Sequence, residues 1–254
     1  MTDYLNHDIQ WPEIPQELPS ENGLSRRKDF RTKQLLALFL ASRGFSVVVE
    51  VYTLLGQFLY IGTRATSLKR TISSLVENEI LHAEILTLQS SYPIPLSFIR
   101  LTKRGRGLCY ELGWIPFESE WERMKRLHEK GKSEPAHTCA TLAFAYQARL
   151  RGCRAGVVPK VETVGQFAPD AIVKEGDQQA LVEVELGYEK IDKWKNMRKA
   201  QGFVAFCTNS VTHRNTLKRE CQFLGIPGRA TDLRTLFLTS KDESPCPLWL
   251  DEWK

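Results

Sequence analysis

The sequence predicts an α+β protein of two domains, a small helical domain closed by a β ribbon and a larger α/β core. Three observations carry that expectation. Segments between residues 30 and 76 repeat apolar residues at helical spacing, and two strand-like runs follow them. From residue 137 onward, helical stretches alternate with short apolar runs bounded by turn residues. A chain of 254 residues, 42% hydrophobic and 26% charged, is long enough to bury two modest cores.

Residues 1–29 read as an extended tail. Pro12, Pro15 and Pro19 each remove a backbone donor and fix φ, so neither a helix nor a central strand is expected there, and Trp11 or Ile14 would anchor the segment. Tyr4 is of the type that some DNA-nicking enzymes use as nucleophile, yet no base or metal ligand accompanies it. Met1-Thr2-Asp3-Tyr4 opens no signal peptide and no apolar run reaches the length of a membrane span, so a cytoplasmic location without a membrane segment is expected.

Residues 30–115 form the first expected domain. Leu35, Leu36, Leu38, Phe39 and Leu40 give a helix that Arg43-Gly44 closes, and a second helix is read over Val48–Phe58 despite its valines. A third, from Arg64 to Val76, keeps Leu68, Ile72, Leu75 and Val76 in helical period and offers Arg64, Ser67, Lys69, Arg70 and Ser74 on its other face. Those residue types contact phosphates and base edges from a recognition helix. Strands are expected over Ile80–Leu88 and Phe98–Leu101, with a tip at Gln89–Pro93. Thr102 would then N-cap a last helix that begins with the basic pair Lys103 and Arg104. The pattern is that of a winged helix-turn-helix, and the alternative is a small helical bundle used for dimerisation.

Residues 116–136 read as a linker, in which Trp121, Met124 and Leu127 keep helical spacing until Gly131. Residues 137–254 then supply the core: a helix over His137–Leu150, strands at 156–164, 170–174 and 180–186, a buried strand at 203–207, a helix at 211–224 and a last strand at Leu236-Phe237-Leu238. The six cysteines, Cys109, Cys139, Cys153, Cys207, Cys221 and Cys246, show no paired close spacing, so reduced structural thiols are expected rather than a zinc ribbon or a redox pair. Net charge is only +5, but Lys and Arg concentrate at 100–132 and 190–199, which suits either a phosphate-holding surface or plain solvated helix faces.

The chemistry concentrates in one hairpin. Strand alternation puts Glu183 and Glu185 on one face, and the turn Lys174-Glu175-Gly176-Asp177 brings Asp170 toward them. Three carboxylates so placed repel one another unless a cation lies among them, and oxygen donors suit Mg2+ or Mn2+. The alternative is that Asp170 begins a turn and that the two glutamates are the solvated face of an edge strand. His137, at the start of its helix, is either positioned to orient a phosphate or a water, or simply bonded to backbone.

Pro169-Asp170 followed by Glu183-Val184-Glu185 resembles the PD-(D/E)xK, restriction-endonuclease-like superfamily. The chain departs from that pattern where Glu185 stands in the usual lysine position. Some branches carry the lysine on the following helix, and among Lys190, Lys193 and Lys195 the sequence reading favours Lys195. With the winged helix in front, domain order, length and Lys195-Asn196 are similar to the replication-relaxation proteins and the MOB-C class of plasmid relaxases. The resemblance implies site-specific nicking of double-stranded DNA at an origin of transfer or replication of a mobile element, with single-stranded DNA, a coupling ATPase and accessory transfer proteins as further partners. It also implies a divalent ion on Asp170, Glu183 and Glu185, and Lys195 facing the transition state. Two competing functions stay open: a catalytically silent DNA-binding regulator on the same fold, and a restriction-type nuclease cutting both strands.

Overall fold

The computed structural model describes residues 12–16, 31–62, 66–88, 94–129, 134–158, 168–187, 191–238 and 246–254. The chain is mixed α and β, and it divides into two compact units, one built on Gln10–Leu86 with Pro95–Arg126 and the other on Leu127–Lys254.

In the first unit, helices α1 (Thr32–Ser42), α2 (Val48–Leu59) and α3 (Thr66–Glu77) precede strands β1 (Leu81–Leu88) and β2 (Ile94–Leu101), which pair as a two-stranded sheet, and helix α4 (Lys103–Glu111). Leu36, Leu40, Val51, Leu55, Leu68, Ile72 and Leu75 share one buried cluster, which is why these short helices hold together. Val47 bridges Phe98, so the turn between α1 and α2 is tied to β2. Gly44 closes α1 at φ +92°, a conformation that favours glycine.

The Leu101–Gly107 stretch is fixed by two contacts. Thr102 Oγ1 accepts from Gly105 N–H at 3.0 Å as the cap of α4, and donates to the carbonyl of Glu79 at 2.5 Å. A Cβ on Gly105 would lie 2.2 Å from the Ile80 carbonyl oxygen, so the close approach of α4 to the start of β1 requires glycine. The segment expected to link the domains belongs to this unit as far as Arg126: at the start of helix α5 (Glu120–Glu129), Trp121 stacks on Phe98 with centroids 4.9 Å apart, and Arg106 pairs with Glu122 at 2.6 Å.

The second unit is a six-stranded mixed sheet in the order β3-β4-β5-β6-β7-β8, with helices between. Helix α6 (Pro135–Leu150) starts with proline at its first turn and leads into β3 (Arg154–Val157), β4 (Ala171–Glu175) and β5 (Gln178–Glu185). These three run antiparallel. Helix α7 (Ile191–Gln201) then crosses to β6 (Val204–Thr208), and α8 (Val211–Phe223) to β7 (Gly228–Asp232); β5, β6 and β7 are parallel. A short helix α9 (Leu233–Phe237) and the antiparallel strand β8 (Asp251–Trp253) complete the unit.

Two expectations are corrected. Leu236-Phe237-Leu238 is not a strand: Asp232 Oδ1 accepts from Thr235 N–H at 2.8 Å, caps α9 and turns the chain into a helix that buries Leu233 and Leu236. The fifth crossover strand is instead the polar run Gly228-Arg229-Ala230-Thr231-Asp232. The first core strand occupies Arg154–Val157, earlier than 156–164, most of which lies outside the described residues. Every cysteine is free; burial pushes the thiols of Cys109, Cys139 and Cys221 up to about 12, so they stay protonated and unreactive. Among the described residues no helix is long and apolar enough to cross a membrane.

Candidate functional site

The carboxylates sit in the middle of the sheet. β5 pairs with β4 on one side and β6 on the other, and Glu183 and Glu185 are only 2% and 4% exposed. A solvated edge-strand face is thereby excluded. Glu183 is in register with Phe206 and Glu185 with Thr208, so both acids lie on the sheet face that also carries Val204 and Phe206, against which Trp194 and Met197 of α7 pack.

Asp170 is brought to this point by the hairpin register. Its N–H donates to the Val182 carbonyl at 3.0 Å, and its Oδ2 accepts from the Val184 N–H at 2.9 Å. His137 of α6 completes the arrangement, with Nε2 3.2 Å from Asp170 Oδ2 and 3.0 Å from the Val184 carbonyl. Both neighbours are acceptors, so Nε2 carries the hydrogen and donates to them. His137 therefore bonds both to one of the acids and to backbone.

The lysine in the site is Lys193, not Lys195. Lys193 Nζ lies 2.6 Å from Glu183 Oε1 and 3.2 Å from Glu185 Oε2. Lys195, favoured from the sequence, is two positions on and therefore on the far side of α7; it is largely exposed and its nearest acid is Asp192 at 3.5 Å. Lys190 lies outside the described residues. The register of α7 is set by Trp194 and Met197, both fully buried under β6. That pair of apolar residues, one and four positions after Lys193, fixes its phase once their burial against β6 is known.

Each acid has a distinct environment. Glu185 is satisfied on both oxygens, by Gly187 N–H at 2.9 Å and by Lys193. Glu183 has Lys193 on one oxygen, while its other oxygen, Oε2, is buried without a hydrogen-bond partner among the described residues. Burial first, and then the neighbouring Asp170 carboxylate, push Glu183 well above the usual carboxylate range, and Lys193 opposes that shift. Asp170 and Glu183 are the residues able to hold a divalent cation, and their hard oxygen donors suit Mg2+ or Mn2+. Among the described residues no group of three or more His, Cys, Asp or Glu side chains is gathered as for a metal ion, and Glu185 is engaged by Gly187 and Lys193.

The first unit carries the basic residues expected to meet nucleic acid. Lys69 and Arg70 are exposed on α3, and Ser67 is half-buried where it accepts from Lys33 Nζ at 3.0 Å. Arg64 lies outside the described residues. A cavity of about 670 Å³ between the start of α1 and α3 is lined by Arg31, Lys33, Gln34, Ser67, Arg70 and Ser74. The α1 contribution, from Arg31 and Lys33, was not read from the sequence. Lys103 and Arg104 border a second cavity of about 760 Å³ with His82 and Thr102, and Arg104 also donates to the Asn78 carbonyl at 3.0 Å.

Comparison with family models, with characterised proteins and with solved structures returns no match to this chain.

Proposed function

We propose that the chain is a DNA-binding, divalent-metal-dependent endonuclease that nicks one strand at a specific site. In this reading the first unit is a winged helix that selects the site, and the second is a PD-(D/E)xK-like core that cuts. The observation that carries it is the convergence of Asp170, Glu183 and Lys193 at one buried point in the centre of a mixed sheet. Burying like charges is costly, and a fold that needed only stability would place apolar residues there.

The chemistry assigned to each residue follows from its contacts. Asp170 and Glu183 would hold a divalent cation, which would supply Lewis-acid activation of a phosphodiester and of water. His137 and the Val184 N–H hold the Asp170 carboxylate in one orientation. Glu185, itself anchored on Gly187, keeps the Lys193 ammonium beside Glu183, in position to meet negative charge developing on a phosphate. Lys193 thus takes over the role that the sequence reading gave to Lys195. Action at an origin of transfer or replication, with a coupling ATPase and accessory proteins, is the narrower form of the proposal and rests on the resemblance to relaxases.

A second reading is a DNA-binding regulator without catalysis, favoured by the ion pairs in which Lys193 already engages both glutamates. Incubation of supercoiled plasmid carrying the target region with wild type and Asp170→Asn, in Mg2+, Mn2+ and EDTA, separates them. Metal-dependent open circles from wild type alone support the nickase; linear product moves the reading to a double-strand nuclease. Intact sequence-specific binding with no cutting supports the regulator.

A further inference from the structure

Helix α7 has a second face that the carboxylate site does not use. Lys195, Arg198 and Lys199 stand about 200°, 140° and 240° around the helix from Lys193, so they form a basic stripe on its opposite side. They line a cavity of about 490 Å³ whose remaining wall is apolar, Leu224 and Ile226. Lys195 lies 3.5 Å from Asp192, which is itself 84% exposed. Phe223, adjacent to Leu224 at the end of α8, is 92% exposed.

We propose that this groove is a binding site for a single strand of nucleic acid, with phosphates on Lys195, Arg198 and Lys199 and an unstacked base against Leu224 and Phe223. The inference rests on the reading of the core as a nucleic-acid enzyme but concerns a different surface. Three cations flanking an apolar wall match the two-part chemistry of a nucleotide chain, charged backbone and π-faced base. A duplex held at the carboxylates is stiff over far more than the roughly 10 Å width of a helix, so it cannot also turn onto the opposite face of α7. A single strand can. The groove would therefore hold strand that is already unpaired, on either side of the cut.

The test is fluorescence anisotropy of the full-length protein with a labelled oligothymidylate, read against salt. The triple variant Lys195→Gln, Arg198→Gln, Lys199→Gln changes only exposed side chains and should keep the fold. It is expected to bind at least ten times more weakly, with the salt slope reduced by about 2, as about 0.7 per phosphate contact predicts. Phe223→Ala should weaken binding without changing the slope. Equal affinity and slope in wild type and triple variant overturn the site, as does polyglutamate displacing the oligonucleotide at equal charge concentration, which would assign the groove to an acidic peptide. Loss of binding in the triple variant of a protein that never nicks plasmid supports this site while removing the nickase reading.

Discussion

Lys193 Nζ lies 2.6 Å from Glu183 Oε1, although ten residues and a change from strand to helix separate the two. The contact exists because α7 is clamped by Trp194 and Met197 beneath β6, which leaves Lys193 as the residue of the helix that meets the end of β5. A lysine carried on β5 itself would occupy the position of Glu185. Here Glu185 instead accepts from Lys193, so the ammonium reaches the same neighbourhood from the helix.

Removing that ammonium should therefore separate cutting from binding. Lys193→Met is expected to reduce nicking about 10²- to 10³-fold, the range for losing one charge-stabilising donor, with duplex affinity unchanged within about twofold. Lys193→Arg should restore part of the rate. Single-turnover cutting and a gel-shift titration, run on the same preparations, check the split.

The raised pKa of Glu183 makes a second prediction with a definite sign. Between the ordinary value of 4.5 and the higher folded value, the folded chain holds a proton that the unfolded chain has released. The contribution of Glu183 is then most favourable at and below pH 4.5 and is lost as pH rises through the folded pKa. Subtracting the urea stability of Glu183→Gln from that of wild type should give a difference that falls with pH over this window. Mn2+ should raise the melting temperature of wild type more at high pH than at low, and should do so less in Glu183→Gln.

Gly105 and Gly107 lie in the same helix and should respond oppositely to alanine. A Cβ at Gly105 meets the Ile80 carbonyl at 2.2 Å, whereas one at Gly107 meets nothing within 4 Å. Gly105→Ala should cost about 1–3 kcal/mol by overpacking, and Gly107→Ala should gain up to about 1 kcal/mol from helix entropy. Equilibrium urea denaturation of both variants measures the contrast.

Much of this was legible because local signals agreed with one another. The β4–β5 hairpin followed from alternation and a Glu-Gly-Asp turn, and the Thr102 cap from a threonine three residues before Gly105. What was not legible depended on tertiary contacts. The phase of α7 depends on Trp194 and Met197 finding β6, so three lysines of similar spacing could not be ranked from sequence. Strand β7 is not marked in the sequence, because Arg229, Thr231 and Asp232 are polar. It is a strand because it is paired on both sides, and Asp232 can be buried there because Arg214 pairs with it.

That last pair gives the final prediction. Asp232 is fully buried, caps α9 through Thr235, and meets Arg214 Nη1; Arg214 Nε is also 2.8 Å from Asp251 on β8, which Lys218 contacts at 2.6 Å. Arg214 thus joins the end of β7 to the last strand. Removing one partner of a buried pair leaves the other charge without compensation, so Asp232→Ala should cost about 3–5 kcal/mol. Lys218 is partly exposed and its ion pair is screened by solvent, so Lys218→Ala should cost less than about 1 kcal/mol. If the network holds β8 in place, hydrogen exchange in Asp232→Ala should quicken first at the amides of residues 251–253, before β5 and the carboxylate site are affected. Uniform loss of protection across the sheet would instead mean that Arg214 and Asp232 support the whole unit rather than its last strand.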